Sequence, residues 1–198
     1  ALKLIQEILE KRENYLQLSI GQNLKLSIEH TAANPNKHLH IGHLRNFAIA
    51  DSLVRIMKRG GYEVEVQYLM NDQGLQIAKV VWGFMNLDKL NLGINVDIKE
   101  TSLKFDTLAA KVYVAAEKIL TTDEELEKEA RTLIPQMEKG SNEVADFCNE
   151  ITTKILLGQL QTTQDFGVYY DRIITESAMT QSGEVERVMQ ALLKTGKV

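Results

Sequence analysis

All four histidines of this 198-residue chain, His30, His38, His40 and His43, lie between positions 30 and 43. Three of them share the stretch NKHLHIGHLRN, residues 36 to 46, with one glycine and one arginine. Imidazoles in such a cluster can ligate a metal, donate hydrogen bonds to a phosphate, or stand as ordinary polar side chains at a helix start. His38, His40 and His43 could supply three nitrogens to a zinc ion. No cysteine pair accompanies them, and the helical pair of histidines with an intervening Glu found in zinc proteases is absent, so metal is the weakest reading. The phosphate-cradling patterns G-x-G-x-x-G and G-x-x-x-x-G-K-[ST] are absent as well. A nucleotide here would be held by imidazoles and a helix N-terminus.

The flanking segments decide where the cluster sits. NLKLSIEH alternates Leu24, Leu26 and Ile28 with Lys25, Ser27 and Glu29, which is strand periodicity. A loop, TAANPNK, follows with one of the two prolines. From about Ile41 the apolar residues Leu44, Phe47, Ala48, Leu53, Val54, Ile56 and Met57 take helical spacing. Lys58 and Arg59 suit the last turn, and Gly60-Gly61 supplies the stop. YEVEVQYLM alternates again, with Val64, Val66 and Tyr68 on one face. Strand, helix and strand in this order predict a βαβ unit with parallel strands, and hence a doubly wound α/β fold. His40, Gly42 and His43 then fall at the carboxyl end of the first strand, where open α/β sheets bind ligands. For His30 and His38 the ordinary polar reading is preferred.

The remainder adds elements but little further chemistry. Residues 1 to 18 read as an amphipathic helix with Leu2, Ile5, Ile8 and Leu9 on one stripe, broken by Gly21. Residues 75 to 166 read as mainly helical. Leu108, Val112, Ala116 and Ile119 mark one helix; Leu126, Ala130, Leu133 and Met137 a second, starting at Thr122-x-x-Glu125; Val144, Cys148, Ile151 and Ile155 a third. FGVYYDRIITES reads as a strand, and GEVERVMQALLKTG as an amphipathic helix ended by Gly196. The expected organisation is residues 1–74 as the first part of an α/β domain, 75–166 as a helical insertion, and 167–198 as a return to the first domain.

Composition sets broad limits. With 44% hydrophobic and 25% charged residues, the chain can build an ordinary core. A net charge of -4 argues against a surface that is one nucleic-acid footprint. No run of eighteen apolar residues is present, so no membrane span is expected. The single cysteine, Cys148, excludes an internal disulfide, fits the cytoplasm and is expected to be a buried helix residue.

The residues resemble one family. HIGH, residues 40 to 43, is similar to the first signature of class I aminoacyl-tRNA synthetases, and EHTAANPNKHLHIGHLRN resembles its arginyl-tRNA synthetase form. YLMNDQGLQI resembles the N-D-x-G segment after that family's second strand, and YYDRIITES with SGEVERVMQALLKTG the segment after its helical insertion. The resemblance runs from Gln22 to Val198, with only the type of structure matching in the helical block. It departs from the family at His38, where proline is common.

The resemblance implies a Rossmann-like catalytic sheet interrupted by a helical insertion. It also implies activation of L-arginine by ATP and transfer to tRNA(Arg). His40 and His43 would be catalytic, and His40, Ile41, Gly42 and His43 would bind ATP, with Gly42 leaving room for adenosine. Glu29 and Asn34 would hold the amino group and backbone end of arginine, and Glu176 the guanidinium, a planar five-donor fork suited to a carboxylate. Mg²⁺ would be bound through the ATP phosphates and not by a protein cage. Asp72 in NDQG is a turn residue with no role assigned. No K-M-S-K-S-like second signature follows, the chain starts at Ala1 and stops at LLKTGKV, and the anticodon-binding domain is missing. A truncated catalytic segment is therefore expected: a monomer that contacts tRNA mostly through absent domains and is weak or inactive alone. The competing readings are another H-x-G-H nucleotidylyltransferase, a non-catalytic synthetase-like module, and a metal-binding module.

Overall fold

The computed structural model describes residues 2–22, 24–93 and 103–196. The two alternating segments form strands β1 (Lys25–Glu29) and β2 (Glu63–Met70), joined by helix α2 (Ile41–Arg59). They pair in parallel, Lys25 opposite Glu63 through Glu29 opposite Gln67, as the βαβ reading requires. Val64, Val66, Tyr68 and Met70 are buried along one face of β2. Gly61, at φ +85°, supplies the left-handed turn that ends the crossover helix. A third strand, β3 (Arg172–Thr175), pairs in parallel with β2, Gln67 opposite Arg172 through Met70 opposite Thr175. Among the described residues the sheet has the order β1-β2-β3.

The described residues between β2 and β3 form helices α3 (Leu75–Met85), α4 (Phe105–Leu120), α5 (Glu124–Arg131), α6 (Leu133–Lys139) and α7 (Glu143–Asp165). These helices share a core built on Ile77, Trp82, Leu108, Val112, Leu120, Ile151 and Ile155, none more than 1% exposed. Each such side chain contributes about 1.5–3 kcal/mol relative to exposure. Two smaller clusters join helices to the sheet. Val54 and Met57 of α2 pack on Leu26, Ile28, Val64 and Val66, while Leu156 and Leu160 of α7 pack with Tyr68 and Met70. Both helices thus cover the same face, and Glu29, Glu65 and Gln67 look out from the other. After β3 come α8 (Glu176–Gln181) and α9 (Glu184–Lys194), with Gly196 at φ +64° just beyond.

Four local expectations are corrected. The N-terminal helix, α1 (Leu2–Lys11), is shorter than the 1 to 18 expected, and a 3₁₀ turn follows at Arg12–Asn14. Tertiary contacts override propensity there: Arg59 Nη1 donates to the carbonyls of Glu13 (2.5 Å) and Tyr15 (3.0 Å), and Leu18 N–H to Arg59 O (2.8 Å). Leu2, Ile5, Ile8 and Leu9 are exposed. The stripe from Leu126 to Met137 spans two helices, because Pro135 lacks the N–H that would bond Arg131 and its ring crowds that carbonyl. The cap of α5 is Asp123, whose Oδ1 accepts from Glu125 N–H and Leu126 N–H at 3.1 Å each, and not Thr122. Finally, only Arg172–Thr175 of FGVYYDRIITES is strand. Asp171 takes the place of earlier pairing, its Oδ2 accepting from Val66 N–H and its N–H donating to Val66 O, both at 2.8 Å.

Candidate active site

His40 is the N-cap of α2, with extended backbone (φ −122°, ψ 175°), and His43 is the third helical residue. Gly42 N–H donates to His40 Nδ1 (3.1 Å), and His40 N–H donates to His43 Nδ1 (3.2 Å). This is a capping box made of two imidazoles, satisfying helix-terminal donors that otherwise lack partners. The rings stack at 3.9 Å between centroids. Because both Nδ1 atoms accept, each neutral ring carries its proton on Nε2. Burial first, then the neighbouring His40 and Lys37, holds the His43 pKa below its ordinary value. Two Nε2–H donors therefore crown the N-terminus of a 19-residue helix, whose dipole favours an anion. A Cβ on Gly42 would lie 2.9 Å from His40 Cε1, so any side chain there would displace the neighbouring imidazole.

The loop before this helix is held from several sides. Thr31 and Ala32 adopt φ +73° and +45°, a conformation that costs non-glycine residues about 1–3 kcal/mol each. Tyr170 OH and Thr31 Oγ1 lie 2.6 Å apart, and Thr31 Oγ1 lies 2.9 Å from the Nδ1 of buried His30. Burial lowers the His30 pKa, and Tyr170, Thr31 and His30 form one continuous chain of hydrogen bonds. Asn34 and Asn36 each donate through Nδ2 to Gln76 Oε1 at 3.1 Å. With its NH₂ engaged, Asn34 presents its carbonyl oxygen as an acceptor.

At the end of β3 the buried carboxylate of Asp72 accepts from Ser177 N–H (2.9 Å) and from Ser177 Oγ (2.5 Å). Thr175 Oγ1 caps α8 by accepting from Ala178 N–H (3.2 Å). Glu176 stands between these two restraints, half-buried, its carboxylate without a hydrogen bond or ion pair among the described residues. The turn residue Asp72 is thus a tie between the ends of β2 and β3.

The carboxyl end of the sheet therefore gathers His40, Gly42, His43, Asn34 and Glu176. Ile41 is 78% exposed at the helix start. Glu29 stands apart: it is exposed, its carboxylate has no hydrogen bond or ion pair among the described residues, and it sits at the level of Gln67, three positions before Met70 and Thr175. At about 3.3 Å per residue, that is roughly 10 Å lower along the strands than the residue preceding Glu176. His38 is exposed, as its ordinary reading requires, whereas His30 is a structural part of the loop.

The family model for the catalytic domain of class I tRNA synthetases of the arginine (R) type matches residues 4–196. The chain belongs to this arginyl-tRNA synthetase family. The arginine–tRNA ligase of Thermococcus kodakarensis is 38% identical over 183 residues, covering 91% of this chain and 28% of the relative. That of Methanococcus maripaludis strain C7 is 38% identical over 201 residues, covering 98% and 33%. The solved arginyl-tRNA synthetase of Thermus thermophilus superposes with a TM-score of 0.69 at 30% identity, covering 86% of this chain and 26% of that one. The chain thus spans about a third or less of these synthetases' length. The Rossmann-like parallel sheet interrupted by helices is the arrangement the resemblance implied. Among the described residues of this synthetase segment, no helix is long and apolar enough to cross a membrane. Cys148 is buried in α7, and burial, with Asp72 nearby, pushes its thiol up to about 12.

Sequence reasoning missed Gln76 and Gln159 of the synthetase fold. Gln159 left one signal: a polar residue on the apolar stripe of Cys148, Ile151 and Ile155. Gln76 left none.

Proposed function

We propose that this chain is the HIGH-bearing part of the catalytic domain of a longer arginine–tRNA ligase. Residues 1–74 and 167–198 belong to the catalytic domain and 75–166 to its connective insertion. The substrates are L-arginine, ATP and tRNA(Arg), the last held mostly by domains outside this chain, and the enzyme acts as a cytoplasmic monomer. The observation that carries the reading is the reciprocal His40–His43 cap, which consumes both Nδ1 atoms and leaves two oriented Nε2–H donors at a helix N-terminus.

A carboxylate oxygen of arginine attacks the α-phosphorus of ATP, the bond to the β-phosphate oxygen breaks, and pyrophosphate leaves with its electron pair. Such a displacement is accelerated by positioning and by charge stabilisation. His40 and His43 donate to phosphate oxygens as negative charge shifts; Ile41 and Gly42 form the rest of the ATP contact. Glu176 pairs with the guanidinium, Asn34 accepts from the ammonium, and Glu29 adds negative charge toward it. Mg²⁺ neutralises phosphate charge when bound. It would be held through the ATP phosphates. Transfer of the arginyl group from the adenylate to tRNA follows.

The test is arginine-dependent exchange of pyrophosphate into ATP by the full-length protein, with tRNA present. Glu176→Gln keeps the side chain's shape and removes its charge. It should weaken arginine binding roughly 10- to 100-fold, the equivalent of losing a charge-assisted pair, with ATP binding unchanged. Exchange supported equally by lysine or citrulline would overturn the reading.

A further inference from the structure

Gln159 is fully buried in α7, in the helical block and far in sequence from the HIGH loop. Its Nε2 donates to Asn34 O (3.0 Å) and to Lys37 O (2.8 Å). Its Oε1 lies 3.0 Å from Tyr68 OH, which also lies 2.9 Å from Ala33 O. Both amide hydrogens are thus spent on the backbone of one loop. Its neighbours in α7, Leu156 and Leu160, pack on the sheet as apolar side chains, whereas Gln159 brings a buried amide that these loop bonds satisfy.

The bonded carbonyls bracket the loop that separates the two proposed substrate contacts. Asn34 lies at one end, and Lys37 leads within three residues to the His40 cap. Thr31 and Ala32 hold left-handed backbone just upstream, a conformation that persists only where surroundings impose it. The Gln76 contacts orient the side chains of Asn34 and Asn36, whereas Gln159 takes the main-chain carbonyls.

We propose that Gln159 is a positioning residue for arginine activation: by fixing the Asn34 and Lys37 carbonyls, it sets the distance between the arginine contact and the histidines that hold ATP. The proposal rests on the function argued above. Gln159 touches neither substrate, so each binds alone without it; what depends on it is their mutual placement.

The experiment compares wild type and Gln159→Leu in the full-length protein, with active sites titrated. It measures binding of arginine alone, ATP alone and a non-hydrolysable arginyl-sulfamoyl-adenosine that joins the two, together with kcat for exchange. The expected result is a loss of about 100-fold in kcat and in affinity for the joined analogue, the scale on which ångström misplacement acts, with arginine and ATP each bound within threefold of wild type. Tyr68→Phe removes the bond to Ala33 O but leaves the Gln159 bonds to Asn34 O and Lys37 O in place, and should stay within threefold throughout. Equal losses for all three ligands, or a Tyr68→Phe defect matching Gln159→Leu, would overturn the proposal in favour of a packing role. Should Gln159→Leu not fold, Gln159→Asn, one methylene shorter, carries the same comparison. A wild-type protein that binds neither arginine nor ATP would overturn the functional reading and the proposal with it.

Discussion

Replacing Asp72 tests whether the tie between β2 and β3 is what holds Glu176. Its carboxylate accepts two hydrogen bonds from Ser177, one from the N–H at 2.9 Å and one from the hydroxyl at 2.5 Å. A hydrogen bond to a charged acceptor contributes about 1.5–3 kcal/mol, and a hydroxyl that retains another partner loses about 1 kcal/mol. Ser177 does retain one, Thr175 Oγ1 at 3.2 Å, and it is half-buried, so water offsets part of the loss. Asp72→Ala should therefore destabilise the chain by about 2–3 kcal/mol. Asp72→Asn keeps an oxygen for the N–H and an NH₂ that can donate to the hydroxyl oxygen, so it should cost about 1 kcal/mol. With a urea slope near 2 kcal/mol/M, the midpoints should fall by about 1–1.5 M and about 0.5 M. Arginine affinity should follow the same order, because Glu176 is the residue before Ser177; for Asp72→Ala we expect about tenfold weaker binding, one part in the tie's total. Equilibrium urea unfolding and calorimetric titration read the two effects. Equal midpoints for the Ala and Asn variants, or an Ala variant within about 0.3 M of wild type, would refute the reasoning.

Gly42→Ala places a Cβ 2.9 Å from His40 Cε1, so the ring must swing off the Gly42 N–H. Exchange should fall by about 10²-fold or more with circular dichroism unchanged, as loss of a single oriented donor predicts. Burial raises the Cys148 thiol to about 12 from an ordinary 9.0, so the thiol should resist iodoacetamide at pH 8 until urea unfolds the chain. The stability it contributes is complete below pH 9 and declines as pH rises toward 12, which unfolding midpoints of Cys148→Ala against wild type will show. The pKa values of His30 and His43 are lowered by burial, so their contribution is complete above the ordinary 6.5 and is lost as pH falls below it. His30→Gln should therefore show a smaller drop in urea midpoint between pH 7 and pH 5 than wild type, retaining only the share of His43.

Much of the sheet was legible because its determinants are local. Period-two alternation in NLKLSIEH and YEVEVQYLM, a switch to helical spacing at Ile41, and Gly60-Gly61 at the stop together required parallel strands with the histidines at their carboxyl end. Local signals failed where distant groups competed. The first helix was read too long because Arg59, more than forty residues away, captures the Glu13 and Tyr15 carbonyls. FGVYYDRIITES looked like one strand because its apolar content does not reveal that Asp171 bonds Val66 through its side chain.

The sequence by itself determined that an H-x-G-H pair opens a helix after a parallel strand, and that this pair belongs with EHTAANPN and TES. The first follows from short-range spacing, and the second from the resemblance to the arginyl-tRNA synthetase family. Only the tertiary structure decided which way Asn34 presents its amide, what holds the strained loop before it, and what ties the Glu176 segment to the end of β2. Those answers lie in the bonds of Gln76, Gln159, Tyr170 and Asp72, made across 40 to 139 positions of chain. A hydrogen bond closed by folding over that distance leaves no periodicity behind, only a polar residue standing where an apolar one would pack.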